Sequence, residues 1–169
     1  MLKTDGWLGG AVALAALAGM RMGEVRALEV QDIDFDAHAI RISRALSGDP
    51  SLSPKSGKDR IVPMVPDLEA RLLELVRRKL PKARVIVTDS GATPGRSPML
   101  TTFKAMLTRR GLKERSFHSL CHHFIPELVR RGAGLEAVRV LAGHSKLDMT
   151  QRYAHATGDD LRAAVDKLR

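Results

Sequence analysis

The sequence predicts a single, mainly helical α+β domain with one small antiparallel β-hairpin. Three observations lead to this fold class. Apolar residues make up 44% and charged residues 28% of the 169 residues, the balance of a soluble globular chain with one core. Apolar side chains recur at helical spacing through most of the chain. Residues 39–44 and 60–64 are two β-like runs, with Gly, Pro and Ser between them.

The first elements are two helices separated by a glycine. Residues 8–17 are rich in alanine and leucine, and Gly19 can adopt the left-handed conformation that ends a helix. A short second helix is expected over 22–28, so Arg21 should lie just past the first helix end. The apolar run 7–18 is shorter than the roughly 20 residues that span a bilayer. We therefore predict a buried helix and no membrane partner.

A hairpin should follow a turn rich in aspartate. Residues 39–44 alternate apolar with polar side chains, and residues 60–64 form a second β-like run. Pro63 should lie at a sheet edge, because proline cannot donate a hydrogen bond to a neighbouring strand. The long connection, 47–59, carries two lysines in a polar setting suited to reaching a ligand.

The rest of the chain is expected to be helical apart from a third short strand at 85–87. Pro66 can open a helix whose leucines recur at helical spacing. Pro126 should disturb its helix, since it removes one backbone donor. The later predicted helices cover residues 98–110, 117–131, 135–142, 147–156 and 159–168.

Charge and side-chain chemistry narrow the partners. The 28 Lys and Arg against 19 Asp and Glu leave +9, which favours a polyanion, although a basic surface can also be functionally neutral. One Trp, one Tyr and four Phe are too few for single-strand stacking platforms, so duplex backbone contact is expected. The one cysteine, Cys121, excludes an intrachain disulfide and fits a reducing cytoplasm. The adjacent His122 and His123 diverge by about 100° on a helix, so no metal site is predicted.

Four motifs occur in a characteristic order. They are G-M-R-M-G-E at 19–24, K-S-G-K-D-R at 55–60, H-S-L-C-H at 118–122, and L-A-G-H-S at 141–145 followed by T-Q-R-Y-A-H at 150–155. Jointly, over nearly the whole chain, they resemble the catalytic domain of the tyrosine recombinase, or phage integrase, family. The resemblance implies site-specific recombination of double-stranded DNA through a 3′-phosphotyrosyl intermediate, without cofactor or metal. It also implies a tetrameric synapse and a cytoplasmic, nucleoid-associated location.

The resemblance assigns five catalytic positions. Arg21 is expected to clamp the phosphate, because a planar guanidinium donates two fixed hydrogen bonds to its oxygens. Tyr153 is expected to be the nucleophile, and no other tyrosine competes with it. Lys55 should protonate the leaving 5′ hydroxyl. His118 should assist proton transfer from Tyr153, and His144 should hydrogen-bond the phosphate.

Further residues are expected to support the site. Glu24 follows Arg21 by three residues, which on a helix puts both on one side, where Glu24 can orient neighbours or neutralise charge. Lys58 competes with Lys55 for the general-acid role, or contacts a phosphate. The other expected phosphate contacts are Arg41, Arg44 and Arg60, although a purely solvated role is also open for them.

Cysteine occupies the position where the family's H-x-x-R box has a second catalytic arginine. Cys121 cannot supply a guanidinium fork, and by analogy with an oxyanion-hole donor the loss costs roughly 10²–10³ in rate. A decayed enzyme, a deliberate substitution and compensation by Arg139 or Arg152 all remain open. A catalytically silent DNA-binding module is the alternative function. A nucleophilic Cys121 is disfavoured, since Tyr153 already fits and nothing marks the thiol as activated.

The domain prediction is one catalytic domain, residues 1–169, without the N-terminal DNA-clamping domain that family members usually carry. Twenty residues precede Arg21. We therefore expect weak, strongly salt-dependent duplex binding. Type IB topoisomerases share this chemistry, but the short chain and the order of the motifs favour a recombinase.

Overall fold

A computed structural model describes residues 6–46, 59–142 and 158–168. A 3₁₀ turn at Val30–Asp32 precedes the strands. The strands are β1 (Ile33–Asp34), β2 (Ala39–Ile42) and β3 (Arg60–Pro63). The helices are α1 (Gly6–Leu17), α2 (Met22–Ala27), α3 (Pro66–Val76), α4 (Arg96–Arg109), α5 (His118–Arg130), α6 (Leu135–Ala142) and α7 (Gly158–Asp166). The mainly helical α+β prediction is confirmed within these ranges, and the predicted helix at 147–156 lies outside them.

The strands form one antiparallel sheet in the order β1-β2-β3. Ile40 on the central strand pairs with Ile33 on one side and with Val62 on the other, and all three are buried. The hairpin prediction is confirmed, and Pro63 lies on an edge strand as expected. Strand β1 was not predicted, because two residues are too few to show an alternating pattern.

The predicted strand at 85–87 is wrong. Val85 and Ile86 are completely buried, but the only bridge in this part of the described chain joins Arg84 to Glu29. The backbone N–H of Val85 donates to the carbonyl of Leu28 at 2.9 Å. A short apolar run indicates burial, and here it packs as an irregular segment held by single contacts rather than by a ladder.

Helix α1 is the centre of the helical packing. Residues 8–15 are all buried, and the helix contacts α2, α3, α4 and α5. Gly10 permits one of these approaches, because a Cβ there would lie 2.2 Å from Leu75 Cδ1. The prediction of a buried helix is confirmed. Among the described residues, no helix is both long and apolar enough to cross a bilayer.

Gly19 determines how α1 joins the site. Its φ of +62° is in the left-handed region, and a Cβ there would lie 2.5 Å from Cδ1 of the buried Phe124 on α5. The chain therefore turns in close contact with α5 two residues before Arg21. This turn fixes where Arg21 stands relative to α5.

Candidate active site

An open cleft of about 260 Å³ lies between the α1–α2 turn and the first two turns of α5. Its lining comprises Gly19 and Arg21 from the turn and residues from α5, namely His118, Cys121, His122, Phe124, Ile125 and Pro126. Three predicted catalytic positions, Arg21, His118 and Cys121, thus line one cleft. Lys55, Lys58, His144 and Tyr153 lie outside the described residues.

Arg21 combines an anchored backbone with an exposed side chain. It is the N-cap of α2, and its backbone N–H donates to Glu24 Oε2 at 2.8 Å, which satisfies an otherwise free donor at the helix start. Its side chain is 49% exposed. The only side-chain contact found for it among the described residues is a long one of 3.5 Å, from Nη1 to Glu24 Oε1. The guanidinium is therefore available to an anion in the cleft.

Glu24 is held mainly by Arg60. The guanidinium of Arg60 donates through Nη1 to Oε1 at 2.9 Å and through Nη2 to Oε2 at 2.8 Å, a bidentate pair with both side chains buried. Burial alone would raise the pKa of Glu24, but hydrogen bonds and charge from Arg60, with those from Arg21, hold it below the usual value. Glu24 is therefore an anion in the folded protein at neutral pH.

The position of Arg60 differs from the expected phosphate contact. Successive side chains of a strand point to opposite faces. In β3 this puts Arg60 on the same side as the buried Val62, while Ile61 points to solvent. The exposed fraction of Arg60 is only 7%. Its Nε has no hydrogen-bond partner among the described residues.

His118 and Cys121 lie one turn apart on α5. Sγ of Cys121 is 3.2 Å from Nδ1 of His118 and donates to the His118 carbonyl at 3.1 Å. Burial raises the pKa of the Cys121 thiol. The positive charge of Arg21 opposes this shift, and the negative charge of Glu24 adds to it, so the pKa remains raised. The thiol is thus neutral near pH 7. The second arginine of the family pattern is replaced by a weak neutral donor.

His122 is a cleft residue whose position sequence reasoning missed. Its ring lies edge-on to that of His118, with centroids 4.0 Å apart. Desolvation, the charge of His122 and that of Arg21 together lower the pKa of His118. His118 is therefore favoured in its neutral form, which can accept a proton. The signal for His122 was its spacing of four residues from His118, which puts both on one helix face.

The remaining basic candidates have local partners. Arg41 is exposed and its Nη2 lies 3.3 Å from Asp59 Oδ2, while Arg44 binds Asp32 and Glu29. Arg139, considered as a replacement for the missing arginine, binds Glu136 on its own helix and does not line the cleft described above. Arg152 is outside the described residues. Among the parts of the chain the structure describes, no cluster of His, Cys, Asp or Glu could hold a metal ion.

A family model and curated relatives both match this chain to tyrosine recombinases of the phage integrase family. The model of the phage integrase family matches residues 3–159. A XerC-like tyrosine recombinase of Caldanaerobacter subterraneus subsp. tengcongensis is 28% identical over 92% of this chain and 47% of its own length. The tyrosine recombinase XerD of Corynebacterium glutamicum is 31% identical over 85% of this chain and 46% of its own. The chain thus spans about half the length of these curated relatives.

Solved structures share the fold. The Tn1549 transposon integrase, in complex with transposon right end DNA, superposes with a TM-score of 0.74 at 22% identity, over 99% of this chain and 61% of that one. The XerA recombinase gives a TM-score of 0.71 at 23% identity, over 98% of this chain and 59% of that one. The α1–α2 turn and α5 that form the cleft lie within these matches, since nearly the whole chain is covered.

Proposed function

The chain belongs to the phage integrase family, and from that membership we propose that it is the catalytic domain of a site-specific recombinase that cleaves and rejoins double-stranded DNA. One observation of the site carries the proposal: the exposed guanidinium of Arg21 faces a cleft that it shares with His118. The charge of +9 suits a polyanionic duplex. We further propose a tetrameric synapse on DNA, and action on nucleoid DNA in the cytoplasm.

In the proposed reaction, the hydroxyl oxygen of Tyr153 attacks the scissile phosphorus. The bond from phosphorus to the 5′ oxygen breaks, and a 3′-phosphotyrosyl bond forms. Arg21 binds the phosphate oxygens, His118 takes the tyrosine proton, and His144 hydrogen-bonds the phosphate. Lys55 protonates the leaving 5′ hydroxyl, with Lys58 as the alternative donor. Rejoining is the reverse, so the enzyme needs no external energy source.

Cys121 should slow this reaction. Its neutral thiol cannot replace a bidentate guanidinium, and loss of one such donor costs about 2.7–4 kcal/mol of transition-state stabilisation, or roughly 10²–10³ in rate. The same observation supports a second candidate function. A chain that keeps the fold and its basic surface but lacks one phosphate clamp could act as a silent DNA-binding module.

The first test uses a nicked suicide duplex, from which the cleaved strand cannot rejoin. We expect the Cys121→Arg variant to form a denaturation-resistant protein–DNA adduct faster than the unmodified chain does. In both backgrounds Tyr153→Phe should abolish it. Gel electrophoresis under denaturing conditions measures the adduct.

A duplex-binding measurement on the same variants separates the two functions. Adducts that depend on Tyr153 support the recombinase. If Cys121→Arg binds the duplex but forms no adduct, the silent DNA-binding module becomes the better account. An adduct that survives Tyr153→Phe contradicts the proposed nucleophile.

A further inference from the structure

Glu24 lies between two arginines that it holds in different ways. Arg60 occupies both carboxylate oxygens at 2.8 and 2.9 Å and is buried. Arg21 donates its backbone N–H to Oε2 at 2.8 Å, but its guanidinium reaches Oε1 only at 3.5 Å. The Glu24 carboxylate thus binds the backbone of Arg21 and the side chain of Arg60.

The charges of the three side chains explain why Glu24 should bind the side chain of Arg60 rather than that of Arg21. Two guanidinium groups and one carboxylate leave a net charge of +1. Since Arg60 is inside the protein, it neutralises Glu24 there, and the excess positive charge is on Arg21 at the cleft. Without Arg60, Arg21 would be the one cation left beside the buried Glu24 carboxylate among the described residues, and their attraction would draw the guanidinium closer than its present 3.5 Å. The cleft would then hold a neutral Arg21–Glu24 pair.

We propose that Arg60 is a positioning residue: by occupying both carboxylate oxygens of Glu24, it prevents Glu24 from capturing the Arg21 guanidinium and keeps that group free to bind an anion in the cleft. Identifying the anion as a DNA phosphate rests on the proposed function above. The effect of Arg60 on Arg21 does not depend on it.

The geometry favours arginine over lysine for this role. A guanidinium donates two parallel hydrogen bonds to a carboxylate, whereas an ammonium group is a point charge that cannot match both oxygens in the same way. An Arg60→Lys protein should therefore leave one oxygen of Glu24 partly free to attract Arg21. We expect its anion affinity to lie between those of the unmodified chain and Arg60→Met.

The test is an NMR titration of the full chain with inorganic phosphate, followed at the His118 imidazole. Arg60→Met should weaken phosphate binding by roughly tenfold or more, as expected when a charge-assisted hydrogen bond is lost. In the unmodified chain the positive charge of Arg21 helps to lower the pKa of His118. That pKa should therefore rise in Arg60→Met, where Glu24 neutralises Arg21. The double variant Arg60→Met with Glu24→Gln removes the competing anion, so it should recover most of the phosphate affinity.

Two controls make the result specific. Arg130→Met breaks an exposed bidentate pair with Glu127, at 2.9 and 2.6 Å, outside the cleft lining, and should leave both readouts unchanged. Arg21→Met should lose phosphate binding whatever stands at position 60. Because Glu24→Gln also removes the unpaired buried carboxylate and so helps the fold, affinities are compared only between variants that urea unfolding shows to be fully folded under the titration conditions.

Folding of the variants is checked by circular dichroism. A folded Arg60→Met protein that binds phosphate as tightly as the unmodified chain would overturn the proposal, as would a folded double variant no better than Arg60→Met. If Arg60→Met does not fold, Arg60→Lys decides: an affinity equal to that of the unmodified chain rejects the role. Because phosphate binding needs no strand cleavage, a failure here is separate from a failure of the recombinase assay.

Discussion

Replacing Gly19 by alanine should destabilise the protein through two separable effects. The first is backbone strain, since φ at this position is +62°, where a residue with a Cβ costs roughly 1–2 kcal/mol. The second is steric. The new Cβ would lie 2.5 Å from Cδ1 and 3.0 Å from Cε1 of Phe124, which is almost fully buried. Forcing a packed core side chain to move costs typically 1–3 kcal/mol.

Gly111 provides a matched control. It also follows a helix and has φ of +63°, but nothing lies within 4 Å of a Cβ built there. Gly111→Ala should therefore show the backbone cost alone, roughly 1–2 kcal/mol. The two substitutions together isolate the contact with Phe124.

Urea unfolding followed by circular dichroism measures both variants. We expect the free energy of unfolding of Gly19→Ala to fall by about 2–5 kcal/mol in total, the sum of the two effects. Its loss should exceed that of Gly111→Ala by about 1–3 kcal/mol. Equal losses would refute the claim that close packing on Phe124 fixes this turn.

Two further predictions concern titratable groups. The folded-state pKa of Glu24 is below its usual value, so its contribution to stability is complete above the unfolded pKa of about 4.3 and is lost as pH falls through the folded pKa. Acid titration of the unfolding free energy should show this loss, and the double variant Arg60→Met with Glu24→Gln should lack it; an unchanged acid profile would argue against an ionised Glu24. Burial raises the pKa of Cys121, so iodoacetamide should alkylate it more slowly at pH 7 than it does a free cysteine. Faster alkylation would indicate an activated thiol instead.

Local patterns were sufficient to predict most of the fold. Gly19 marked the end of α1, and alternation marked the hairpin, because both signals depend on residues near one another in sequence. The strand prediction at 85–87 failed because burial does not require a ladder. Strand β1 was missed because its two residues pair with β2 but are too few to show the alternation of apolar and polar side chains that marks a strand.

The residues of the candidate site were predicted from the resemblance of the four motifs to the family. Spacing explains why His118 and Cys121 share one face of α5, and the turn at Gly19 explains why Arg21 follows the end of α1. The ion pair of Arg60 with Glu24 joins positions 36 residues apart and depends on how the sheet packs against α2. Arg60 follows the polar connection 47–59, so the sequence favoured a surface position for it. Only the pleat of β3 reveals that it points inward.

The fully apolar character of α1 has a consequence for how the protein acquires its structure. Helix α1 is buried on every side, and the short helix α2 that follows it cannot cover all of that surface. One of its main contacts, α5, begins 101 residues after α1 ends (118 − 17). Contacts of such long sequence separation form slowly. During synthesis α1 and α2 therefore emerge long before α5, which leaves part of the apolar surface of α1 exposed and prone to self-association. The cleft between Arg21 and α5 should therefore form late in folding, when α5 packs against α1.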